Sequence, residues 1–191
     1  MIKIMNIDIK GGVMMHYKKY YESPIGQLAM TSDGKNITGL WLPNHEDFEL
    51  KFNEKLFEAD LIIFNKAVAW LDDYFLGNNP VIDFPLKAEG TEFRKQVWEI
   101  LLDIPYGETI TYGEIAKQMA QIRGKKTMSA QAVGGAVGNN PISIMIPCHR
   151  VVGKDGNLTG YDGGIDTKIE LLKLEQMDMN AYYKPKHSTK P

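Results

Sequence analysis

The sequence predicts an α+β protein in which a small antiparallel sheet with one helix is followed by a second, mainly helical unit. Two observations support this prediction. From Tyr17 to Leu42, short apolar stretches are separated by SPIG and SDGKN, which supply the glycine and asparagine that tight hairpins need. From Thr91 onward, apolar residues recur at helical spacing behind residues that commonly begin helices. We therefore divide the chain into an N-terminal unit over residues 14–87 and a C-terminal unit over residues 88–180.

Composition limits the class of protein. With 191 residues, of which 43% are hydrophobic, the chain can bury a substantial core. Its single cysteine excludes an internal disulfide and a cysteine-rich zinc site, and its histidines lie too far apart to suggest a local metal cluster. No apolar run reaches the length of a membrane span, and the N-terminus lacks a secretory pattern. We therefore expect a soluble, cytoplasmic protein that uses no metal or other cofactor and has no membrane partner.

The N-terminal unit is predicted to hold the sheet and one long helix. Residues 1–13 have no clear periodicity, and we interpret them as a disordered extension. Apolar side chains at helical spacing predict a helix over about residues 61–76, with Asp60 as its N-cap and Gly77 directly after its end. The following NNPVIDFPL predicts a strand that leads into a linker around KAEG.

The C-terminal unit is predicted to begin with Thr91, the N-cap of a helix in EFRKQVWEILLDI that a proline and a glycine terminate. In TYGEIAKQMA, Thr111 and Glu114 form a capping box, which places Tyr112 on the first turn of a short helix. A basic connection, QIRGKK, leads to a second short helix in TMSAQAVGGAVG, with Thr127 as its candidate N-cap. Two short helices joined by a basic turn resemble a helix-turn-helix.

The end of the chain combines a strand, a glycine-rich loop and a helix. VVGKDGNLTGYDGG predicts the strand and the loop, and Thr167 with Glu170 is predicted to cap a last amphipathic helix that ends at about Met177. Residues 181–191 are interpreted as a disordered tail.

Charge and glycine content distinguish the predicted helix-turn-helix. No acidic residue lies between Glu114 and Asp155, an interval that contains Lys117, Arg123, Lys125, Lys126, Arg150 and Lys154. Such a run is typical either of a solvated face or of a surface that meets phosphates. Gly134 and Gly135 would each weaken an isolated helix by roughly 1 kcal/mol relative to alanine. Two explanations for them stay open: close approach of a bulky partner, or packing against another helix.

The single cysteine, Cys148, lies in the segment IPCHR. A lone cysteine is more often a small buried hydrophobe than a nucleophile. Here ISIMIPC predicts a buried strand that ends in a proline, so Cys148 is expected where a strand leaves the core and turns. His149 and Arg150 follow at once, and cationic or hydrogen-bonding neighbours lower the pKa of a thiol. Because adjacent side chains on an extended chain point to opposite faces, contact between His149 and Cys148 requires a turn or a bridging water.

The block VGGAVGNNPISIMIPCHRVVG, with YGETITYGEIA before it and LTGYDGGIDTKIELLKLE after it, strongly resembles the O6-alkylguanine-DNA alkyltransferases. The resemblance is close over about residues 91–177 and weaker over the preceding sheet and helix. It implies that the C-terminal unit is a winged-helix-like DNA-binding domain. It also implies a monomer that binds duplex DNA, rotates a damaged nucleotide out of the stack and transfers the alkyl group from guanine O6 irreversibly to its own cysteine. The range of alkyl groups, and activity on O4-alkylthymine, stay open.

The resemblance also implies a set of catalytic residues. Cys148 would be the alkyl acceptor, and His149 the base that takes the thiol proton through a water. Glu175 would orient and charge that histidine, and Asn140 would be the hinge between the recognition helix and the active-site turn. Tyr112 would crowd the target phosphate and help to rotate the nucleotide and protonate the leaving base. This mechanism requires a sulfur that is accessible, ionisable and aimed at the extruded lesion.

Further residues are assigned by position in the same way. The guanine pocket would be lined by Val151, Tyr161 and Asp162. The DNA-binding surface would comprise Tyr112, Gly113, Lys126, Gln131, Ala132, Gly134, Gly135, Arg150 and Lys154. Taken one at a time, these positions also have structural readings: Glu175 as a solvated helix residue, Asn140 as a turn former and Tyr161 as a core aromatic.

The sequence departs from the family pattern on the second short helix. Relatives often have an arginine there that fills the gap left by the flipped nucleotide, and this chain has Gln131. Glutamine can still hydrogen-bond the orphaned base, but it lacks the charge and the planar stacking face of arginine. We therefore expect nucleotide flipping to be weaker or differently assisted. The connection AQIRGKKTMS is also longer than the short turn of familiar members.

Two other functions fit parts of the sequence. A non-enzymatic sensor that binds alkylated guanine and recruits other repair factors would use the same surface, although Cys148 argues against it. A transcription regulator would use the same helix-turn-helix, but its glycine-rich second helix offers few long side chains to read base edges. Small residues are more consistent with minor-groove docking that has little sequence preference.

Overall fold

The computed structural model describes residues 15–43 and 56–185. The predicted extension over residues 1–13 lies outside the described residues, and so does the end of the predicted tail, residues 186–191.

A four-stranded sheet forms most of the N-terminal unit. Its strands are β1 (His16–Ser23), β2 (Gly26–Ser32), β3 (Ile37–Trp41) and β4 (Leu56–Glu58). The spatial order is β3-β2-β1-β4, and β1, β2 and β3 are antiparallel neighbours as predicted. Strand β4 lies parallel to β1, so the sheet is mixed rather than purely antiparallel. Three residues are too few to establish the alternating pattern that predicts a strand.

Helix α1 (Ile62–Phe75) packs its buried face against the sheet. The predicted extent is confirmed to within a residue at each end, and Gly77 follows with a φ of 84°, as the predicted helix end requires. The predicted N-cap is wrong. Leu61 occupies that position without a side-chain hydrogen bond, and Asp60 is instead paired with Lys19 at 2.8 Å.

The strand predicted in NNPVIDFPL is wrong as well. Leu86 forms an isolated bridge with Ile37, and the rest of the segment has no strand structure. Val81, which the pattern places at the centre of the strand, is 85% exposed. Within the described residues, only the end of the segment reaches a strand, where Pro85 and Lys87 share backbone hydrogen bonds with Ile37 of β3.

The helices of the C-terminal unit are α2 (Glu92–Leu102), α3 (Tyr112–Ile122), α4 (Ala130–Gly138) and α5 (Ile165–Leu174). The Thr91 cap of α2 is confirmed, and so is the capping box of Thr111 and Glu114 at the start of α3. The predicted cap at Thr127 is wrong, because the Ser129 side chain accepts from the Ala132 amide and α4 begins after it. Helices α3 and α4 pack against each other and against α2, in the arrangement of a helix-turn-helix.

Helix α5 begins and ends earlier than predicted. It starts after Gly164, which has a φ of 85° and provides no side-chain cap, so Thr167 lies inside the helix. It ends at Leu174, with Glu175 as the C-cap, because Gln176 adopts a φ of 61° and turns the chain away. The predicted disordered tail is wrong for its first residues, since Tyr183 pairs with Gly156 and Leu158 through the backbone.

The segment before Cys148 is buried as predicted, but it is not a strand. Leu40 of β3 exchanges backbone hydrogen bonds with Pro141 and Ser143 at 2.9 and 3.0 Å. Ile144 then adopts a φ of 68°, and the amide of Ile146 bonds back to the carbonyl of Ile142 at 2.9 Å. The apolar run therefore predicts burial correctly but not the backbone, because the left-handed residue folds the chain into turns.

One hydrophobic core runs through both units. It joins Leu28, Phe64 and Leu71 to residues of the helical unit, among them Leu101, Ile115, Met119 and Ile142. A short parallel pair of β5 (Ile110–Thr111) and β6 (Val151–Val152) fixes the start of α3 beside the residues that follow the cysteine. The predicted α+β class is thus confirmed.

Candidate active site

Cys148 begins a 3₁₀ turn that runs to Arg150, at the end of the buried segment. The turn lies directly before β6, which pairs with β5 at the start of α3, and Cys148 itself is part of the hydrophobic core. The predicted turn at this position is confirmed.

Asn140 fixes the chain on both sides of this turn. Its Oδ1 accepts from the amide of Ile142 at 3.0 Å, and its Nδ2 donates to the carbonyl of Ile146 at 2.8 Å. The same Nδ2 lies 3.2 Å from Cys148 Sγ. Asn140 follows the C-cap of α4, so one side chain connects the end of that helix to the sulfur. Because the amide uses both its oxygen and its nitrogen, a shape-matched residue without them would leave several buried groups unpaired.

The thiol is less open than the proposed chemistry needs. Cys148 is 6% exposed, so the expectation of an accessible sulfur is wrong for this state of the protein. Burial raises the pKa of the thiol, and the bond from Asn140 and the charge of Lys168 oppose that rise. The expected lowering of the pKa by neighbouring cations is therefore outweighed by desolvation.

Tyr112 and Tyr161 flank the sulfur. The Tyr112 hydroxyl donates to the carbonyl of Gly160 at 3.2 Å, which ties the first turn of α3 to the glycine-rich loop. The Tyr161 hydroxyl oxygen is buried and makes no hydrogen bond within the described part of the chain. Burial raises the pKa of both tyrosines, and the negative charge that Cys148 carries as a thiolate adds to the rise. Asp162 is exposed beside this pair, whereas Val151 is fully buried in the core.

Lys168 is a residue of this site that sequence reasoning missed. Its ammonium group is fully buried and donates to the carbonyls of Val151 at 2.5 Å and Thr159 at 3.2 Å. Burial lowers its pKa to about 8, and the charge of Cys148 opposes that fall. The sequence contains one signal for this role: Lys168 lies one turn before Leu171 and Leu172 on the apolar face of α5, where a lysine is rarely found unless it has partners.

His149 belongs to a buried ion network around Glu175. His149 Nε2 lies 2.7 Å from Glu175 Oε1, and neither side chain is exposed. Arg150 reaches the same carboxylate through Nε at 2.8 Å and Nη2 at 3.0 Å. Burial alone would raise the pKa of Glu175, but the bonds from His149 and Arg150 lower it to about 2. The carboxylate is therefore ionised at neutral pH.

This network determines where the His149 proton lies. Burial lowers the pKa of the imidazole despite the opposing pull of Glu175, so the ring is neutral at neutral pH. An ionised carboxylate only accepts, so Nε2 carries the proton and donates it to Glu175. Nδ1 is then an unprotonated base; it is buried and has no hydrogen-bond partner within residues 15–43 and 56–185.

Arg150 does not fit its predicted place on the DNA surface. Its side chain is 11% exposed, and Nη1 donates to the carbonyl of Ile104 at 2.7 Å in addition to the bonds with Glu175. The guanidinium also lies 5.7 Å from the centre of the Tyr106 ring. Because it is already paired with a buried carboxylate, it is not available to a phosphate, and we remove it from the predicted interface.

The other predicted DNA-binding residues lie on or beside the helix-turn-helix. The exposed members are Gly113, Lys126, Gln131, Ala132, Gly135 and Lys154. A groove of about 380 Å³ between α3 and the connection that leads to α4 is bordered by Lys117, Lys125 and Lys126. An added Cβ at Gly135 would meet nothing within 4 Å, and one at Gly134 would lie 3.9 Å from the Tyr112 ring. Internal packing therefore does not require either glycine, which favours approach by an external partner.

Family models match nearly all of the described chain. The DNA binding domain of 6-O-methylguanine DNA methyltransferase matches residues 92–177, and the ribonuclease-like domain of the same family matches residues 16–88. A methylated-DNA--protein-cysteine methyltransferase of Haemophilus influenzae is 45% identical over 166 residues, which cover 84% of this chain and 87% of the relative. The chain belongs to the 6-O-methylguanine DNA methyltransferase family.

Other members of this family agree in sequence and in structure. A methylated-DNA--protein-cysteine methyltransferase of Mycobacterium tuberculosis is 43% identical over 163 residues, covering 85% of this chain and 93% of the relative. The crystal structure of Mycobacterium tuberculosis OGT in complex with DNA superposes with a TM-score of 0.73 at 40% identity, covering 87% of this chain and 94% of that one. Relatives with these names do not support the alternative of a non-enzymatic sensor.

None of the helices in residues 15–43 and 56–185 is long and apolar enough to cross a membrane. Within the same residues, no group of three or more histidine, cysteine, aspartate or glutamate side chains is placed to hold a metal ion.

Proposed function

We propose that this protein is a DNA repair methyltransferase that moves an alkyl group from guanine O6 in duplex DNA to its own Cys148. The observation that supports this best is a lone cysteine, buried beside two polar atoms without partners in the described chain, in the turn that follows the helix-turn-helix and its buried segment. Those atoms are His149 Nδ1 and Tyr161 Oη. A buried polar group without a partner is uncommon unless a water or a ligand serves it.

The first chemical step is activation of the thiol. His149 Nδ1 takes the proton of Cys148 Sγ through a bridging water, and Glu175 stabilises the imidazolium through the bond at 2.7 Å. Asn140, 3.2 Å from the sulfur, donates to the thiolate as it forms. Lys168 adds a positive charge close to the same atom at pH values below its pKa of about 8.

The second step is an in-line displacement at the alkyl carbon. A bond forms between Sγ and the carbon, the bond from the carbon to guanine O6 breaks, and its electron pair stays on guanine. Tyr112 would stabilise the leaving guanine by donating a hydrogen bond, since its raised pKa keeps the hydroxyl protonated. The proton that His149 took from the thiol passes through water to the leaving guanine and neutralises its negative charge. A thioether has no leaving tendency, so each molecule reacts once.

Substrate entry requires the loop around residues 159–162 to move. Tyr112 is tied to Gly160 and Lys168 is tied to Thr159, so these two side chains hold the loop beside the site and their bonds must break for the loop to open. Gly160 has a φ of 64°, a conformation that glycine adopts without strain. We infer that an extruded guanine displaces this loop and gives Tyr161 Oη a partner.

DNA binding is assigned to the exposed face of α3 and α4. Its lysines neutralise phosphates, and the open surface at Gly135 allows the backbone to approach the duplex closely. We propose that the protein works as a monomer on DNA in the cytoplasm, a reducing compartment that keeps the lone cysteine as a thiol.

Intact mass spectrometry tests the proposed function. Wild-type protein mixed with duplex DNA containing O6-methylguanine should gain the mass of one methyl group, and Cys148→Ser should gain none while still binding the duplex. Unmodified DNA of the same sequence is the control. If the wild-type protein binds the lesion but its mass is unchanged, transfer is wrong and the sensor alternative is favoured.

A further inference from the structure

Tyr74 of α1 contacts the ion network from the N-terminal unit. Its hydroxyl donates to Glu175 Oε1 at 2.8 Å and lies 3.5 Å from His149 Nε2. The side chain is 1% exposed, and its ring stacks on Trp70 with centroids 5.2 Å apart. The hydroxyl and the imidazole therefore share one carboxylate oxygen, although the residues that carry them lie far apart in the sequence.

We propose that Tyr74 is a positioning residue that sets how strongly Glu175 acts on His149, and thereby the pH range in which Cys148 can be activated. This inference rests on the proposed role of His149 as the base. It assigns to the N-terminal unit a part in the chemistry, beyond supporting the fold.

The physical reason is competition for Glu175 Oε1. That oxygen accepts from His149 Nε2, from the Tyr74 hydroxyl and from Arg150 Nη2. Each donor withdraws charge from the carboxylate, and less charge stabilises the imidazolium less. Burial raises the pKa of Tyr74 well above the usual range, and the charge of Glu175 adds to the rise. The hydroxyl is therefore a permanent donor rather than a second base.

Other charged groups around His149 set the baseline on which Tyr74 acts. Arg150 pairs with the same carboxylate, and its charge lowers the pKa of His149. Lys168, on α5, acts in the same direction from the side of Cys148. Both cations keep their places when the Tyr74 hydroxyl is removed, so the change isolates one donor to Glu175.

The test is the pH dependence of single-turnover transfer from saturating methylated duplex between about pH 4 and about pH 7, a range that extends well below the usual pKa of histidine and stays below the pKa of Lys168 at about 8. In the wild type the rate should fall at low pH as His149 becomes protonated. Tyr74→Phe keeps the stacked ring and removes the donor, so the pH of half-maximal rate should rise by about half a pH unit to one pH unit. Replacing Tyr74 by 3-fluorotyrosine, a stronger donor in a side chain of nearly the same shape, should move it downward.

Tyr106→Phe is the matched control. The Tyr106 hydroxyl donates to the carbonyls of Gly77 and Leu174 across the same junction, but not to the carboxylate of Glu175. Its removal should lower thermal stability and leave the pH of half-maximal rate in place. An unmoved profile in both Tyr74 variants would overturn the inference, even if Tyr74→Phe is less stable. A wild-type rate that does not fall at low pH would contradict the base role of His149 itself, and the inference with it.

Discussion

Replacing Glu175 with glutamine should destabilise the protein strongly. Glu175 Oε2 accepts from Arg150 Nε at 2.8 Å and from the amide of Gly107 at 3.3 Å, while Oε1 accepts from His149, Tyr74 and Arg150. Glutamine keeps the shape but turns one of these acceptors into a donor that faces other donors. It also leaves the nearly buried Arg150 cation without a counter-ion.

The magnitude follows from the pKa of Glu175. A fall from 4.5 to about 2, at about 1.36 kcal/mol per pKa unit, corresponds to about 3 kcal/mol of folding free energy. Removing one partner of a buried ion pair typically costs about 3 to 5 kcal/mol. Both routes give a similar value, so Glu175→Gln should lower the free energy of unfolding by about 3 kcal/mol at neutral pH.

Urea unfolding followed by circular dichroism measures this loss, with Glu170→Gln as the control, because Glu170 is exposed on the same helix. The folded-state pKa of Glu175 is depressed, so its contribution is present above the unfolded pKa and is lost as the pH falls from about 4.5 toward about 2. The difference between wild type and Glu175→Gln should shrink over that window. A loss below about 1 kcal/mol at neutral pH, in the range of surface pairs, would refute the reasoning.

The remaining predictions concern DNA binding and the thiol. Gln131→Arg should accept the methyl group from duplex DNA as fast as wild type or faster, with little change in its reaction with free O6-methylguanine. Slower transfer from duplex DNA would contradict the prediction that the side chain at position 131 fills the gap left by the flipped nucleotide. Gly135→Ala, into open space, should raise the melting temperature through about 1 kcal/mol of helix propensity and weaken duplex binding in fluorescence anisotropy; unchanged affinity would argue against close approach of DNA there. Lys168→Met should raise the pKa of Cys148, measured as the pH dependence of iodoacetamide alkylation; an unshifted profile would exclude an electrostatic role for Lys168.

Some local patterns in the sequence predict local structure correctly, although the N-caps predicted at Asp60 and Thr127 are wrong. The capping box of Thr111 and Glu114 is one example, because its hydrogen bonds join residues only three apart. The strand wrongly predicted before Cys148 is the opposite case. Its apolar side chains specify burial, but contacts with Leu40 and a left-handed Ile144 decide the backbone, and neither has a pattern within the segment.

The same distinction separates the parts of the active site. The family motif locates Cys148, His149 and Asn140, because they lie in one continuous block of sequence. Tyr74 lies in another unit, and its contact with Glu175 arises only when α1 packs beside the end of α5. Arg150 was misassigned because the resemblance places it on the DNA-binding surface by its position in the sequence, whereas the fold places a buried carboxylate beside it.

The most direct test of irreversible self-alkylation is its stoichiometry under a large excess of lesion. Protein incubated with excess duplex carrying deuteriomethyl-labelled O6-methylguanine should accept one label per chain and then stop. Peptide mapping should locate that label on Cys148, and the DNA should contain restored guanine in an equal amount. Continued release of label to solvent, or a label on another residue with Cys148 unmodified, would contradict the account.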